Sequence, residues 1–265
     1  MTEAWSGGEY GPHSCVLAAN PGIMTLDGTN TWVLRSGERS VVVDPGPSLM
    51  THLDAVRSVA GDVAEVLLTH HHLDHSESAR EFGEMVGAPV RALDPSLSLG
   101  AEGLRAGEVI SVGSSLEIEV VATPGHTSDS LSFWVPSASA VLTGDTVLGR
   151  GTTVVAHPDG SLGAYLDSLD RLRALAEERE VSWIWPGHGP AIADALALLD
   201  YYIAHRASRL EQVETALALV PPDTLGDDLP RAVVEIVYAD VDPVLWGAAE
   251  LSVRAQLAYL AEFRV

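Results

Sequence analysis

Residues 69–75 read Thr69-His70-His71-His72-Leu73-Asp74-His75. The run before them, Val63 to Thr69, is apolar and of strand length, so the histidines sit where a buried strand ends. Side chains of a strand alternate between faces, so His70 and His72 point together and His71 points away. A turn that tightens after His72 swings Asp74 and His75 toward an adjacent position. Imidazole nitrogens and carboxylate oxygens suit zinc and its first-row neighbours. One short segment therefore supplies donors to two neighbouring metal ions.

The remaining donors lie further along the chain. His126 closes Thr123-Pro124-Gly125-His126, Asp145 follows Gly144, and His188 closes Pro186-Gly187-His188. Each comes after a strand-like run, in a turn where glycine lets the backbone approach closely. Strands ending in such residues converge on one rim of a layered α/β fold, where sites usually sit. The metal-ligand set is then His70, His72, Asp74, His75, His126, Asp145 and His188, enough for two divalent metals sharing one carboxylate. Zinc is the expected metal, with iron and manganese as alternatives. His13, His52, His157 and His205 lack such a context.

Around these points β-type runs alternate with helical patterns to about residue 190. Val41–Val43, Leu116–Val120, Ala140–Leu142 and Val181–Trp185 read as strands. Leu49, Leu53, Val56 and Ala60 recur at helical spacing, as do Leu162, Leu166, Leu169 and Leu172. Phe82, Met85 and Val86 suggest a helix stopped by Gly87. From residue 191 onward no strand is expected. Ala191 to Leu219 reads as a long helix stopped by Pro221-Pro222, followed by helices around 229–237 and 249–260. The expected organisation is an α/β catalytic domain over 1–200 and a small helical domain over 201–265.

The composition narrows the function. There are 37 acidic residues against 15 basic ones, for a net charge of −22, so polynucleotides and anionic membranes are repelled unless a local basic patch intervenes. Residues 201–265 hold ten acids and five arginines, with Arg254 and Arg264 the only basic residues of the last helix. A DNA-reading helical domain needs a basic recognition helix. The tail is therefore expected to be a pocket lid or a homodimer contact. The single cysteine, Cys15, excludes a disulfide framework and a Cys-based zinc site. The first residues show no secretory pattern and no apolar run spans a bilayer, so a cytoplasmic location is expected, with no membrane partner.

The H-x-H-x-D-H segment at 70–75, followed in order by His126, Asp145 and His188, resembles the metallo-β-lactamase superfamily. Asn20 to Trp32 and Gly144 to Thr153 resemble its lactamase-beta-2-like branch, and the helical tail resembles that branch's winged-helix domain. The resemblance implies an αβ/βα four-layer sandwich with a binuclear site between two sheets. It implies that His70, His72 and His126 hold one metal, that Asp74, His75 and His188 hold the other, and that Asp145 bridges them. Zinc β-lactamases of this superfamily usually carry Cys or Ser where Asp145 stands, so β-lactam hydrolysis is not expected.

The expected activity is hydrolysis of a small ester-like substrate, a thioester or lactone in the manner of glyoxalase II, by a hydroxide bridging two metals. Asp74 and Asp145 are the expected catalytic residues, with Asp74 orienting the nucleophile. Thr69 and Asp44 are candidates for fixing the imidazole tautomers. Arg150, in a Gly-flanked loop five residues beyond Asp145, is a candidate for binding an anionic substrate group. The alternative is a phosphodiesterase or endoribonuclease acting on single-stranded RNA. A redox role is a third reading, though the diiron flavoproteins of this fold carry Glu where His72 stands.

Overall fold

The computed structural model describes residues 4–263; Arg264 and Val265 lie outside the described residues. In chain order the first half contains β1 (Gly8–Tyr10), β2 (His13–Leu17), β3 (Asn30–Ser36), β4 (Arg39–Val43), α1 (Met50–Ala60), β5 (Asp62–Leu67), α2 (Leu73–Ser76), α3 (Ala79–Val86) and β6 (Val90–Arg91). The second contains β7 (Val109–Val112), β8 (Leu116–Ala122), β9 (Leu131–Val135), β10 (Ala140–Gly144), α4 (Leu162–Glu178), β11 (Trp183–Pro186), β12 (Ile192–Ala193), α5 (Ala195–Leu217), α6 (Asp228–Val237) and α7 (Trp246–Phe263).

The strands form two six-stranded mixed sheets, ordered β1-β2-β3-β4-β5-β6 and β12-β11-β10-β9-β8-β7. Alternation along each strand sends one set of side chains between the sheets and the other toward helices. Thus Trp32, Leu34, Val41 and Val43 meet Ile118, Phe133, Leu142 and Trp185 in the inter-sheet core. Val33 and Val42 face outward onto Leu53 and Val56 of α1 and Phe82 of α3. On the far side, Trp134, Val141 and Ile184 pack under Leu169 and Leu172 of α4 and Leu199 and Tyr202 of α5. The result is the αβ/βα four-layer sandwich. No helix among the described residues is long and apolar enough to cross a membrane.

One local expectation is corrected. The chain beyond residue 191 contains a strand: Ile192–Ala193 pairs antiparallel with Trp183 and Ile184 of β11. Two residues on a sheet edge carry no periodicity, so only their pairing partner reveals them. The tail is otherwise helical, and α5 runs unbroken through residue 200. Its first half, with Ala195, Leu199 and Tyr202, belongs to the core beneath the second sheet. Its second half, with Val213 and Ala216, packs on Val233 and Val234 of α6 and Val253 and Leu260 of α7.

The two sheets are pinned together close to one rim. Trp32 of β3 stacks on Trp185 of β11 with ring centroids 4.7 Å apart, and its indole N–H donates to Pro186 O at 3.0 Å. Asn30 Nδ2 donates to Pro186 O at 2.9 Å and to Gly189 O at 2.8 Å. An aromatic pair of this kind contributes about 0.5–1.5 kcal/mol beyond area burial. These contacts fix the turn that carries His188.

Candidate metal centre

The C-terminal ends of five strands meet at this rim. Asp44 follows β4, His70 and His72 follow β5, His126 follows β8, Asp145 follows β10 and His188 follows β11. Asp74 and His75 lie in the single helical turn α2, whose first turn begins just after His72. That turn is the change of direction that separates Asp74 and His75 from the two histidines before them.

The seven residues fall into two clusters. Ring or carboxylate atoms of His70, His72, His126 and Asp145 lie within 4.8 Å of one another, as do those of Asp74, His75 and His188. Asp145 stands between them: its Oδ2 is 3.7 Å from His126 Nε2 and 3.3 Å from His188 Nε2, and its Oδ1 is 3.4 Å from His75 Nε2. Cys15 is buried in the inter-sheet core, so the donor set is nitrogen and oxygen alone.

Hydrogen bonds behind the rings decide which nitrogens face inward. His75 Nδ1 lies 2.8 Å from Asp44 Oδ2, His188 Nδ1 lies 3.0 Å from Gly28 O, and His126 Nδ1 lies 2.8 Å from Val154 O. A carboxylate or carbonyl can only accept, so each Nδ1 carries a proton, and in the neutral ring each Nε2 presents a lone pair. The Thr69 hydroxyl donates to Asp44 Oδ2 at 2.7 Å and therefore accepts from His70 Nδ1 at 2.9 Å. His70 Nε2 is then bare as well. Asp44 also accepts from Thr69 N at 2.8 Å, so one carboxylate aligns Thr69, His70 and His75.

Ring nitrogens turned on one another at short range need a proton or a metal cation between them. His75 Nε2 and His188 Nε2 are 3.2 Å apart, and His72 Nδ1 is 3.1 Å from both His70 Nε2 and His126 Nε2. The buried Asp145 Oδ1 has no hydrogen-bond partner among the described residues. Without a metal cation, protons on His75 and His188 supply the positive charge that Asp145 demands. Burial pulls the His188 pKa down, but the charge of Asp145 and hydrogen bonds to Asp145 and Asp74 outweigh it and raise it to about 9. His75 moves up against burial under Asp145 and Asp44. Burial, with neighbouring imidazoles, holds His72 down at about 4. The residues present thus fit a pair of divalent cations.

His71 is turned away, with Nδ1 2.8 Å from Asp129 Oδ1. His13 accepts from the Arg35 amide at 3.1 Å, and His52 meets Thr31 Oγ1 at 2.8 Å. Arg150 lines the cavity beside the clusters, about 150 Å³ in volume, together with Ile23, Met24, Leu26 and Leu148. It also pairs with Asp27 at 3.0 Å and remains half exposed. Sequence reasoning missed Gly28 O and Val154 O as the partners of His188 and His126. A backbone carbonyl leaves no trace in residue identity.

Two helix-flanked sheets with paired histidine–aspartate clusters at one rim define a class of metal-site proteins generally devoted to hydrolysis. The chain belongs to the metallo-β-lactamase superfamily, whose domain model matches residues 24–105 and 107–188. The model of the β-lactamase-associated winged-helix domain matches residues 230–262. A Caenorhabditis elegans protein named beta-lactamase-like protein 2 homolog is 33% identical over 238 residues, covering 85% of this chain and 76% of that protein. An Aspergillus fumigatus protein named atrochrysone carboxyl ACP thioesterase is 34% identical over 223 residues, covering 80% of this chain and 67% of that protein. A β-lactamase domain protein from Burkholderia ambifaria shares the fold with a TM-score of 0.78 at 22% identity, over 97% of this chain and 88% of that one.

Proposed function

We propose that the chain is a binuclear metal-dependent hydrolase of small thioesters or lactones, with zinc as the resident metal. The observation that carries this is the set of mutually facing imidazole nitrogens around Asp145. His70, His72 and His126 would hold one cation, Asp74, His75 and His188 the other, and Asp145 both. When bound, such cations supply Lewis acidity toward the substrate oxygen and lower the pKa of coordinated water.

The chain's own groups do the rest. Asp74 is the more open of the two site carboxylates, with its side chain 29% exposed, and it lines the cavity. It can accept a hydrogen bond from the attacking water and aim it at the acyl carbon. Ile23, Met24, Leu26 and Leu148 give the acyl group an apolar wall, and Arg150 stands at the rim for an anionic substituent. Water adds across the acyl C–S or C–O bond, yielding a carboxylate and a thiol or alcohol.

The thioester reading draws on the similarity to the Aspergillus fumigatus protein. Charge speaks against polynucleotides: acids outnumber arginines 37 to 15, and five arginines are already paired, Arg39 with Asp62, Arg105 with Glu102, Arg173 with Asp200, Arg231 with Glu250 and Arg254 with Asp227. The test assays thioester, lactone, phosphodiester and single-stranded RNA side by side in 0.15 M salt, where the Debye length is roughly 8 Å. Ester cleavage that disappears in Asp145→Ala is expected, with Arg150→Ala raising KM for anionic esters at unchanged metal content. RNA cleavage without esterolysis would replace this reading with a ribonuclease.

A further inference from the structure

A second cavity, of about 290 Å³, lies between the catalytic rim and the helical tail. It shares Ile23, Met24, Thr152, Thr153 and Val154 with the cavity beside the metal clusters, so the two adjoin. Its volume is close to the lower end of ordinary small-molecule sites. The tail side is built by Tyr238, Val241, Leu245 and Ala249. Ile23 and Met24, which line both spaces, are 56% and 53% exposed.

The charge pattern of this cavity is opposite to that of the chain. Among its lining residues are Arg206, Arg209 and His205, and no acid, in a protein with a net charge of −22. Arg206 is 94% buried, and a buried cation is ordinarily paired with a carboxylate. No described carboxylate lies within ion-pair distance of it. Its Nη2 donates to Thr153 O and its guanidinium lies over the Tyr165 ring at 4.9 Å, but Nε has no partner. Arg209 donates to Gln212 Oε1 and Val237 O, and its guanidinium lies over the Tyr238 ring at 4.8 Å. His205 is pushed down in pKa by burial and by the charges of Arg206 and Arg209.

We propose that this cavity is the second half of the substrate site, holding an apolar segment that ends in an oxyanion received by Arg206 and Arg209. The substrate class is then an amphipathic, anion-bearing acyl ester or thioester, its reacting carbonyl at the metal clusters and its remote anion under the helical tail. The assignment of the reacting end rests on the hydrolytic reading; the anion subsite does not. The oxyanion is a carboxylate when it belongs to the acyl part and a phosphate when it belongs to the leaving group.

The test is calorimetric titration of the metal-loaded protein with decanoate, decyl phosphate and decanol, none of which can be hydrolysed by acyl transfer. Either anion should bind at least about tenfold more tightly than decanol, as expected of a charge-assisted hydrogen bond. The better anion names the end of the substrate that carries it. Arg209→Gln, which leaves the Thr153 contact intact, and Arg206→Gln should each reduce that preference. Equal binding of decanol and both anions overturns the proposal. So does anion binding that is abolished by chelating the metals but unmoved by Arg209→Gln and Arg206→Gln. An inactive esterase that still shows the arginine-dependent preference would remove the hydrolytic reading and leave the subsite standing.

Discussion

The carboxylate of Asp44 accepts the Nδ1–H of His75 at 2.8 Å, across 31 residues of chain, with both side chains almost wholly buried. This bond fixes the tautomer that presents His75 Nε2 to the site, and outer partners of this kind typically govern metal affinity by 10–100-fold. Asp44 sits in the left-handed backbone region at φ 53°, which Asn tolerates. Asp44→Asn should therefore fold, yet bind metal about 10- to 100-fold more weakly. Competition against a chelator of known affinity measures it, and an unchanged dissociation constant would show that Asp44 only closes a turn.

Gly187 shows how tightly the backbone approaches the site. A Cβ there would lie 2.5 Å from Asp145 Oδ1 and 2.6 Å from His75 Cε1. Gly187→Ala must push at least one of those side chains aside, at a cost of about 1–3 kcal/mol. Its expected signature is metal loss out of proportion to any fall in Tm. Full metal occupancy in the purified variant contradicts it.

Asp145 touches both clusters, whereas His188 lies in one. Metal analysis after reconstitution should find both ions diminished in Asp145→Ala and mainly one in His188→Ala. Similar stoichiometry in the two variants would remove the bridging role from Asp145.

His52 offers a pH signature away from the clusters. Burial lowers its pKa from 6.5 to about 4, against a smaller opposing backbone hydrogen bond with Pro45. Between these values the unfolded chain binds a proton that the folded chain refuses, so stability is full above pH 6.5 and falls as the pH drops toward 4. From pH 7 to pH 5 this group alone should remove about 2 kcal/mol. Urea unfolding of the wild type and His52→Gln at both pH values isolates it. Parallel losses in the two proteins would assign acid sensitivity to other groups.

The sequence by itself determined which residues could bind metal and where along the chain they fall. His70, His72, Asp74, His75, His126, Asp145 and His188 were legible because their chemistry is carried by residue type and each follows a strand or turn signal. The order of those motifs carried the family resemblance and with it the sandwich. Local periodicity did not reach β9, where all five residues are buried and no alternation exists, nor β12, which has two residues. Only the tertiary structure brought His75 Nε2 within 3.2 Å of His188 Nε2 across 113 residues, and set Gly28 O and Val154 O behind the rings. It alone placed Arg206 of α5 against Thr153, making the tail a wall of the cavity beside the site. Such contacts depend on how sheets and helices pack, and a backbone carbonyl or a buried cation acquires its role from neighbours distant in the chain.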